Sequence, residues 1–301
     1  MAMIDVAKRG NRRAGAGATV PPPALVLLSI VSVQLGAALT KGLFATVGPA
    51  GAVFLRTACG ALLLVALWRP PVRGQARADL ATVLAFGLVL AGMSLTFYAA
   101  LDRLPLGAAV TLSFMGPLGV ALLGSRRPLD LLWGGLALSG VLLIGPLGEG
   151  LDPRGVALAL LAGSLWGAYI PLSARTGRAF PGASGLALAM GVAAVLAAPF
   201  GLAAGGAGLL DPRALLCGLG VALLSSVLPF TLEMTALRCM PARTFGILLS
   251  LEPAVGAIVG ALALREGLSS RAVLAVGLVV LASVGSTVGA RRPSPAALSP
   301  S

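Results

Sequence analysis

Long apolar stretches separated by short polar connections dominate the chain. A helix needs roughly 20 apolar residues to cross a bilayer, and ten consecutive stretches have close to that length. The predicted spans are Ala24–Thr46, Ala50–Trp68, Leu80–Leu101, Leu106–Gly124, Leu129–Leu147, Gly155–Ser173, Ser184–Ala204, Ala214–Ala236, Thr244–Leu264 and Ala272–Gly289. The expected fold is an all-α polytopic membrane protein with ten transmembrane helices.

Composition supports a membrane protein and excludes an ordinary soluble domain. Hydrophobic residues make up 57% of the chain and charged residues only 11%, and the mean hydropathy is +0.98. Soluble domains carry about a quarter charged residues. The 41 glycines and 21 prolines occur largely inside apolar stretches, where membrane helices tolerate them.

The basic residues predict the topology. Although the net charge is +12, these residues form short clusters between apolar stretches, so a membrane topology signal explains them better than nucleic-acid binding. With the N-terminus in the cytoplasm, fifteen loop and tail cations lie inside and five lie outside. Those outside are Arg103, Arg154, Arg213, Arg265 and Arg271. We therefore expect a bacterial-type inner-membrane protein with both termini in the cytoplasm.

The spans are expected to form two repeats of opposite orientation. A shift of 136 residues aligns Pro105 with Pro241 and Pro117 with Pro253, and the aligned stretches fall in spans four and nine. An odd and an even span cross the bilayer in opposite directions, so the pattern predicts a five-plus-five inverted repeat, a common plan of secondary transporters. The predicted units are a basic cytoplasmic tail (1–23), the first repeat (24–147), the second repeat (155–290) and a disordered cytoplasmic tail (291–301). The first apolar stretch is expected to be a retained helix and not a cleaved signal peptide.

Span nine carries the strongest candidate site, because Glu252 lies near its middle. An ionised side chain at bilayer depth costs roughly 3 kcal/mol and normally faces a bundle interior or a wet cavity. Pro253 removes a backbone N–H, and Gly256 and Gly260 leave a groove on the same face. Two interpretations are open: a close helix contact with a neutralised Glu, or a solute and proton site. The repeat places Gly116 at the equivalent position, so the charge belongs to the second half alone.

Three further ionisable residues lie within predicted spans. Lys41 and Arg56 are at similar depth in the outer halves of spans one and two; Lys41 could instead reach the interface. Glu233, toward the cytoplasmic end of span eight, could reach the interface or pair with Arg238. Together these cations and Glu252 would complement the two ends of a zwitterion, and a buried Glu could exchange a proton.

Few aromatic and polar side chains lie within the spans, and these complete the candidate set. The aromatic candidates for solute contact are Tyr98, Phe114, Trp166 and Tyr169, for each of which simple packing is the alternative. Ser250, Gln34, Thr111 and Ser113 are candidate polar residues, and Pro117 and Pro253 are the candidate helix breaks.

The sequence gives no reason to expect an enzyme, a metal or a cofactor. The three cysteines are dispersed and there is no histidine, which argues against a zinc site or a disulfide framework. A G-x-S-x-G elbow and paired aspartates at bilayer depth are also missing from the sequence. The expected partners are a small-molecule substrate, protons and the lipid bilayer, and the sequence does not specify an oligomeric state.

Nearly the whole chain resembles a known transporter family. The stretches GAALTKGLF (36–44), FLRTACG (54–60), PLGAAVTLSFMGPLGVAL (105–122), SRRPLD (125–130), LEMTAL (232–237) and RTFGILLSLEPAVGA (243–257) are similar to the inner-membrane threonine/homoserine exporters. Those exporters belong to the EamA branch of the drug/metabolite transporter superfamily. The resemblance implies a ten-span inverted-repeat exporter of small amino acids, driven by the proton gradient, with Lys41, Arg56, Glu233 and Glu252 at matching positions.

Two alternatives to amino-acid export are open at this point. The same scaffold could export drugs or other metabolites, which a substrate panel would distinguish. A non-transporting membrane scaffold or receptor would explain the glycines and prolines equally well, but it gives no reason for buried charges of both signs.

Overall fold

A computed structural model describes residues 20–70, 75–123, 128–144, 151–239 and 248–289. Within these ranges all regular structure is helical, which confirms the all-α prediction. The predicted tails at 1–19 and 291–301, and residues 244–247 of predicted span nine, lie outside the described residues.

Eleven helices, numbered here in chain order, account for most of the described residues. They are α1 (Pro22–Trp68), α2 (Arg77–Leu101), α3 (Leu106–Ser113), α4 (Met115–Leu123), α5 (Pro128–Ile144), α6 (Pro153–Ala179), α7 (Ser184–Gly205), α8 (Pro212–Ala222), α9 (Leu228–Cys239), α10 (Glu252–Ala263) and α11 (Ser270–Gly289). A 3₁₀ turn, Gly206–Leu210, follows α7, and a π-helical segment, Leu223–Val227, joins α8 to α9.

The bundle has an apolar exterior and a partly polar interior. Among the described helices, five stretches are long and apolar enough to cross a membrane, and three shorter ones are apolar. Large side chains such as Val195 (73% exposed) and Leu262 (79% exposed) point outward, whereas Gln34, Thr40 and Ser94 are buried. Exposed apolar surface of this extent is expected where acyl chains replace water.

Local sequence explains two irregular points in these helices. Gly48, with φ 68° and ψ 169°, separates the parts of α1 that correspond to predicted spans one and two. Glycine has no Cβ, so it adopts this positive φ without the strain that another residue would carry. The π-helical segment ends just before Pro229, whose missing N–H and ring disturb the preceding helical turn. An uninterrupted apolar stretch in the sequence can therefore contain a break in the regular α-helical backbone.

One end of the bundle, called here the Lys41 end, gathers the connections that the sequence places outside the cell. Thr46 packs against Gly208 and Leu104 against Gly155 at this end. Two helices begin here with the same Asp-Pro-Arg sequence, and the side chains of Asp152 and Asp211 accept hydrogen bonds from the backbone N–H two residues on. Aspartate is a favoured N-cap and proline a favoured first residue of a helix. The hydrogen bond from the Arg154 N–H lowers the pKa of Asp152.

The helices of the predicted repeat pair are interrupted at equivalent positions. Phe114 separates α3 from α4, three residues before Pro117. Ser250 and Leu251 are non-helical turn residues directly before α10, so that interruption also begins three residues before a proline, Pro253. The two interrupted helices touch, because a Cβ at Gly107 would lie 2.8 Å from the Ala257 Cα. Close backbone contact at small residues is typical of helix packing in membranes.

At Gly116, the position that the predicted repeat aligns with Glu252, the backbones of two helices are in close contact. A Cβ placed on Gly116 would collide with the carbonyl oxygen of Gly163 in α6, and one on Gly163 would lie 2.5 Å from the Ser113 carbonyl. The first half therefore has no room for a side chain where the second half carries a carboxylate. This contact accounts physically for the asymmetry between the halves.

Replacing Gly116 by Ala is expected to destabilise the bundle by about 1–3 kcal/mol, because the added methyl group forces α4 and α6 apart. The matched control is Gly119→Ala on the same helix, where a Cβ would meet nothing within 4 Å. Thermal unfolding of the purified proteins in one detergent checks this. Equal melting temperatures for the two variants would contradict the close crossing.

Candidate functional site

Glu252 lies in the interior of the bundle and not against lipid. It is the first residue of α10 and is 6% exposed. Its Oε2 atom is buried and has no hydrogen-bond partner among the described residues. A buried carboxylate oxygen without a donor is energetically costly, so the position calls for a proton or a ligand.

Glu233 lies close to Glu252 and is held by the first part of α1. The Ser29 hydroxyl donates a hydrogen bond of 2.6 Å to Glu233 Oε1. One turn further along α1, the Ser32 hydroxyl donates to the carbonyl of Leu224 at 2.7 Å, within the π-helical segment. Glu233 is also within electrostatic range of Glu252. The side chain of Arg238, the partner that the sequence suggested for Glu233, lies outside the described part of the structure.

Arg56 is a cation of the bundle interior. Its Nη2 donates to the Ser94 hydroxyl at 2.5 Å, and its guanidinium carbon lies 5.5 Å from the centre of the Tyr98 ring, a cation–π distance. The Thr40 hydroxyl donates to the Tyr98 hydroxyl at 3.3 Å. The Nε of Arg56 is buried without an acceptor among the described residues. Arg56 is therefore positioned by α2 but not neutralised by any carboxylate in the described part of the chain.

Three of the candidate aromatic side chains take part in two aromatic pairs. Tyr169 packs on Phe86 with ring centres 5.1 Å apart and is within electrostatic range of both Arg56 and Glu233. Phe114 packs edge-to-face on Trp166 at 5.8 Å, where α6 crosses the interruption between α3 and α4. Tyr169 therefore lies near both a basic and an acidic side chain of the bundle interior.

Two polar candidates lie near the start of α10, Ser250 directly before it and Gln34 beside Gly256. Ser250 is fully buried in the interruption before α10. Gln34, on α1, is 2% exposed, and its Oε1 has no partner among the described residues. Thr111 and Ser113 instead bond backbone carbonyls, those of Gly107 and Ala159.

Lys41 is paired with a residue that was not among the sequence candidates. Its Nζ lies 2.6 Å from Glu266 Oε1 and donates to the Leu104 carbonyl at 3.1 Å. Glu266 Oε2 accepts the backbone N–H of Leu106, the first residue of α3, at 2.7 Å. Glu266 therefore ties together α1, α3 and the connection between α10 and α11. The predicted topology placed Glu266 on the same side of the membrane as Lys41, and that was the available signal.

Two surface grooves at the Lys41 end are lined by other residues. The larger, of about 490 Å³, is mainly apolar and has Asp102 and Arg103 among its lining residues. The smaller, of about 230 Å³, is bordered by Glu266 and Arg271. Neither groove is lined by Arg56 or Glu252. Among the described side chains, no group of three or more His, Cys, Asp and Glu residues could hold a metal ion.

Comparison with known proteins identifies similar membrane transporters. The EamA-like transporter family profile matches residues 153–288. The threonine/homoserine exporter RhtA of Salmonella typhimurium strain LT2 is 42% identical over 274 residues, covering 90% of this chain and 92% of that protein. The exporter of the same name from Escherichia coli K12 is 41% identical over 276 residues, covering 91% and 93%. A solved crystal structure at 21% identity has a TM-score of 0.59 and covers 89% of this chain and 99% of its own, which supports the fold alone.

Removing the charge of Glu266 is expected to loosen the Lys41 end. Glu266→Gln weakens both the 2.6 Å ion pair and the hydrogen bond from Leu106, and we expect a loss of about 1–2 kcal/mol of unfolding free energy. Asp152→Asn is the matched control, because the Arg103–Asp152 pair is more exposed and asparagine still caps α6. Thermal unfolding distinguishes the two variants. A Glu266→Gln protein as stable as the control would contradict the stabilising role of Glu266 at the Lys41 end.

Proposed function

We propose that this chain, which belongs to the EamA-like transporter family, exports small amino acids such as threonine and homoserine across the inner membrane in exchange for protons. The multi-pass apolar bundle and the extent of the similarity to the two exporters support this proposal. The observation that carries it is a pair of interior groups of opposite sign, the buried Glu252 and the partly buried Arg56, each with a buried polar atom that has no partner among the described residues.

An amino-acid zwitterion matches this pair chemically. Its carboxylate would accept a hydrogen bond from Arg56, where Nε is unused, and its ammonium group would donate to Glu252 Oε2. Tyr98 and Tyr169 would form aromatic walls between the two ends, since Tyr98 packs on Arg56 and Tyr169 is within electrostatic range of Arg56 and Glu233. Phe114, Trp166 and Ser250 remain proposed substrate-binding residues, whereas Lys41, which the sequence also suggested, is engaged by Glu266 in the described conformation.

Glu252 and Glu233 are the proposed proton carriers. Both lie within the spans, and they are within electrostatic range of one another. Burial makes the ionised form of such a group costly, so binding a proton or a cationic ligand relieves the cost. If proton and substrate ammonium compete for the same carboxylate, release of one accompanies uptake of the other, and the two fluxes run in opposite directions.

The proposed architecture has ten spans in a five-plus-five inverted repeat with both termini in the cytoplasm. The loop charges and the equivalent helix interruptions before Pro117 and Pro253 support this arrangement. Interrupted helices near mid-membrane are where secondary transporters hold their substrates. In this arrangement the Lys41–Glu266 pair lies at the periplasmic side and keeps that end closed in the described conformation.

Transport in everted membrane vesicles tests the function. Because everted vesicles reverse the membrane, we expect inward movement of labelled threonine when a proton gradient, acidic inside, is imposed, and little movement without it. Glu252→Gln should reduce gradient-driven uptake at least tenfold, because it removes the charge that both proton and ammonium require. Asp211→Asn is the control, since asparagine preserves the cap of α8 and lies at the bundle end.

Two outcomes would contradict the proposal. In the first, wild-type vesicles take up another metabolite from a panel but neither threonine nor homoserine. That result would show that the protein transports a different substrate. Gradient-independent uptake that is equal for wild type and Glu252→Gln would remove the proton-coupling role of Glu252.

Reporter fusions test the orientation. A reporter active only outside the cytoplasm should function when fused after Gly206 and fail when fused after Ala179, because the proposed topology places these helix ends on opposite sides. The reverse pattern would overturn the orientation while leaving the helix bundle intact.

A further inference from the structure

Two buried oxygen atoms on neighbouring helices lack a hydrogen-bond donor. They are Oε1 of Gln34 on α1 and Oε2 of Glu252 at the start of α10, and neither has a partner among the described residues. The two residues are 2% and 6% exposed. An unsatisfied buried acceptor is costly, so both positions favour the binding of a hydrogen-bond donor.

Gly256 places these acceptors on the same face of α10. A Cβ built on Gly256 would lie 3.3 Å from Gln34 Oε1. Gly256 is four residues after Glu252, and side chains four apart project from the same side of a helix. The Gln34 amide oxygen therefore lies beside a backbone position that is one helical turn from Glu252 along α10. Val110 of α3 closes the far side, because the same Cβ would lie 3.2 Å from its Cγ2.

An ammonium group fits these two acceptors better than other small donors do. It carries three N–H donors and no acceptor, so a group held between the two residues can donate to both oxygens without leaving an unpaired lone pair of its own. Its positive charge also compensates the carboxylate. A hydroxyl group brings a single donor and no charge, so it can satisfy only one of the two oxygens.

We infer that Gln34 and Glu252 together form the subsite for the ammonium group of the transported substrate, with the Gln34 amide oxygen setting its position and Glu252 supplying the charge. This inference rests on the proposed function, because it assigns one end of the amino acid to one place. It also makes Gln34 a residue that selects substrates with a primary amino group.

Analogues that separate the two ends of threonine test the subsite. The probes are L-threonine, 1-amino-2-propanol, which lacks the carboxylate, and 3-hydroxybutyrate, which lacks the amino group. Their binding to the purified full chain is measured as thermal stabilisation over a concentration series. Gln34→Met removes the acceptor at similar volume and should weaken the two amines about tenfold or more, as expected for losing a hydrogen bond to a charged group, while leaving 3-hydroxybutyrate unchanged.

Two further variants separate a binding role from a structural one. Gln34→Glu keeps an acceptor oxygen and should retain amine binding, which also tests the subsite if the Met variant does not fold. Ser32→Ala, close by on α1, removes a hydrogen bond to the Leu224 carbonyl and should not change the ranking of the analogues. Equal weakening of all three probes by Gln34→Met would indicate a structural role and overturn the inference.

The outcomes also distinguish this inference from the proposed function. If wild type transports threonine and Gln34→Met binds both amines normally, the subsite is wrong and the function stands. If wild type binds 1-amino-2-propanol in a Gln34-dependent manner but transports no amino acid, the subsite stands and the function is wrong. If wild type binds neither amine, the subsite is overturned.

Discussion

The cost of placing ionised groups inside an apolar bundle governs this structure. The surface toward lipid is made of side chains such as Val195 and Leu262, so any charge within the spans must face inward. Lys41 meets that requirement through Glu266. Arg56 and Glu252 meet it only in part, since each keeps a polar atom without a partner in the described part of the chain. This difference separates a structural charge from charges available to a ligand.

The interrupted helices explain how the second half can hold a carboxylate at this depth. The turn at Ser250 and Leu251 replaces regular helix directly before α10, because Pro253 has no backbone N–H to donate to the preceding turn. In the first half the equivalent position is closed by the Gly116–Gly163 crossing. The two stretches that the predicted repeat aligns are therefore both interrupted, and one carries a close helix contact where the other carries a buried acidic group.

Much of this arrangement could be predicted from sequence, because it depends on local patterns. Hydropathy predicted an all-helical membrane protein, and the paired prolines indicated that helices would be disturbed near Pro117 and Pro253. The family similarity was confirmed by the exporters that match over nine-tenths of the chain. The ion pair of Lys41 with Glu266 could not be predicted, because it requires α1, the start of α3 and the connection between α10 and α11 to meet at one end of the bundle. Nor could the Ser29–Glu233 bond, which joins residues 204 positions apart.

The proposed function depends on one arrangement, in which the interior groups Arg56 and Glu252 would hold the two ends of an amino acid. The most direct measurement is an experimental structure of the wild-type protein with L-threonine bound. The account predicts the ligand carboxylate at Arg56 and its ammonium group at Glu252. A bound threonine elsewhere, with Arg56 and Glu252 still unoccupied, would contradict it.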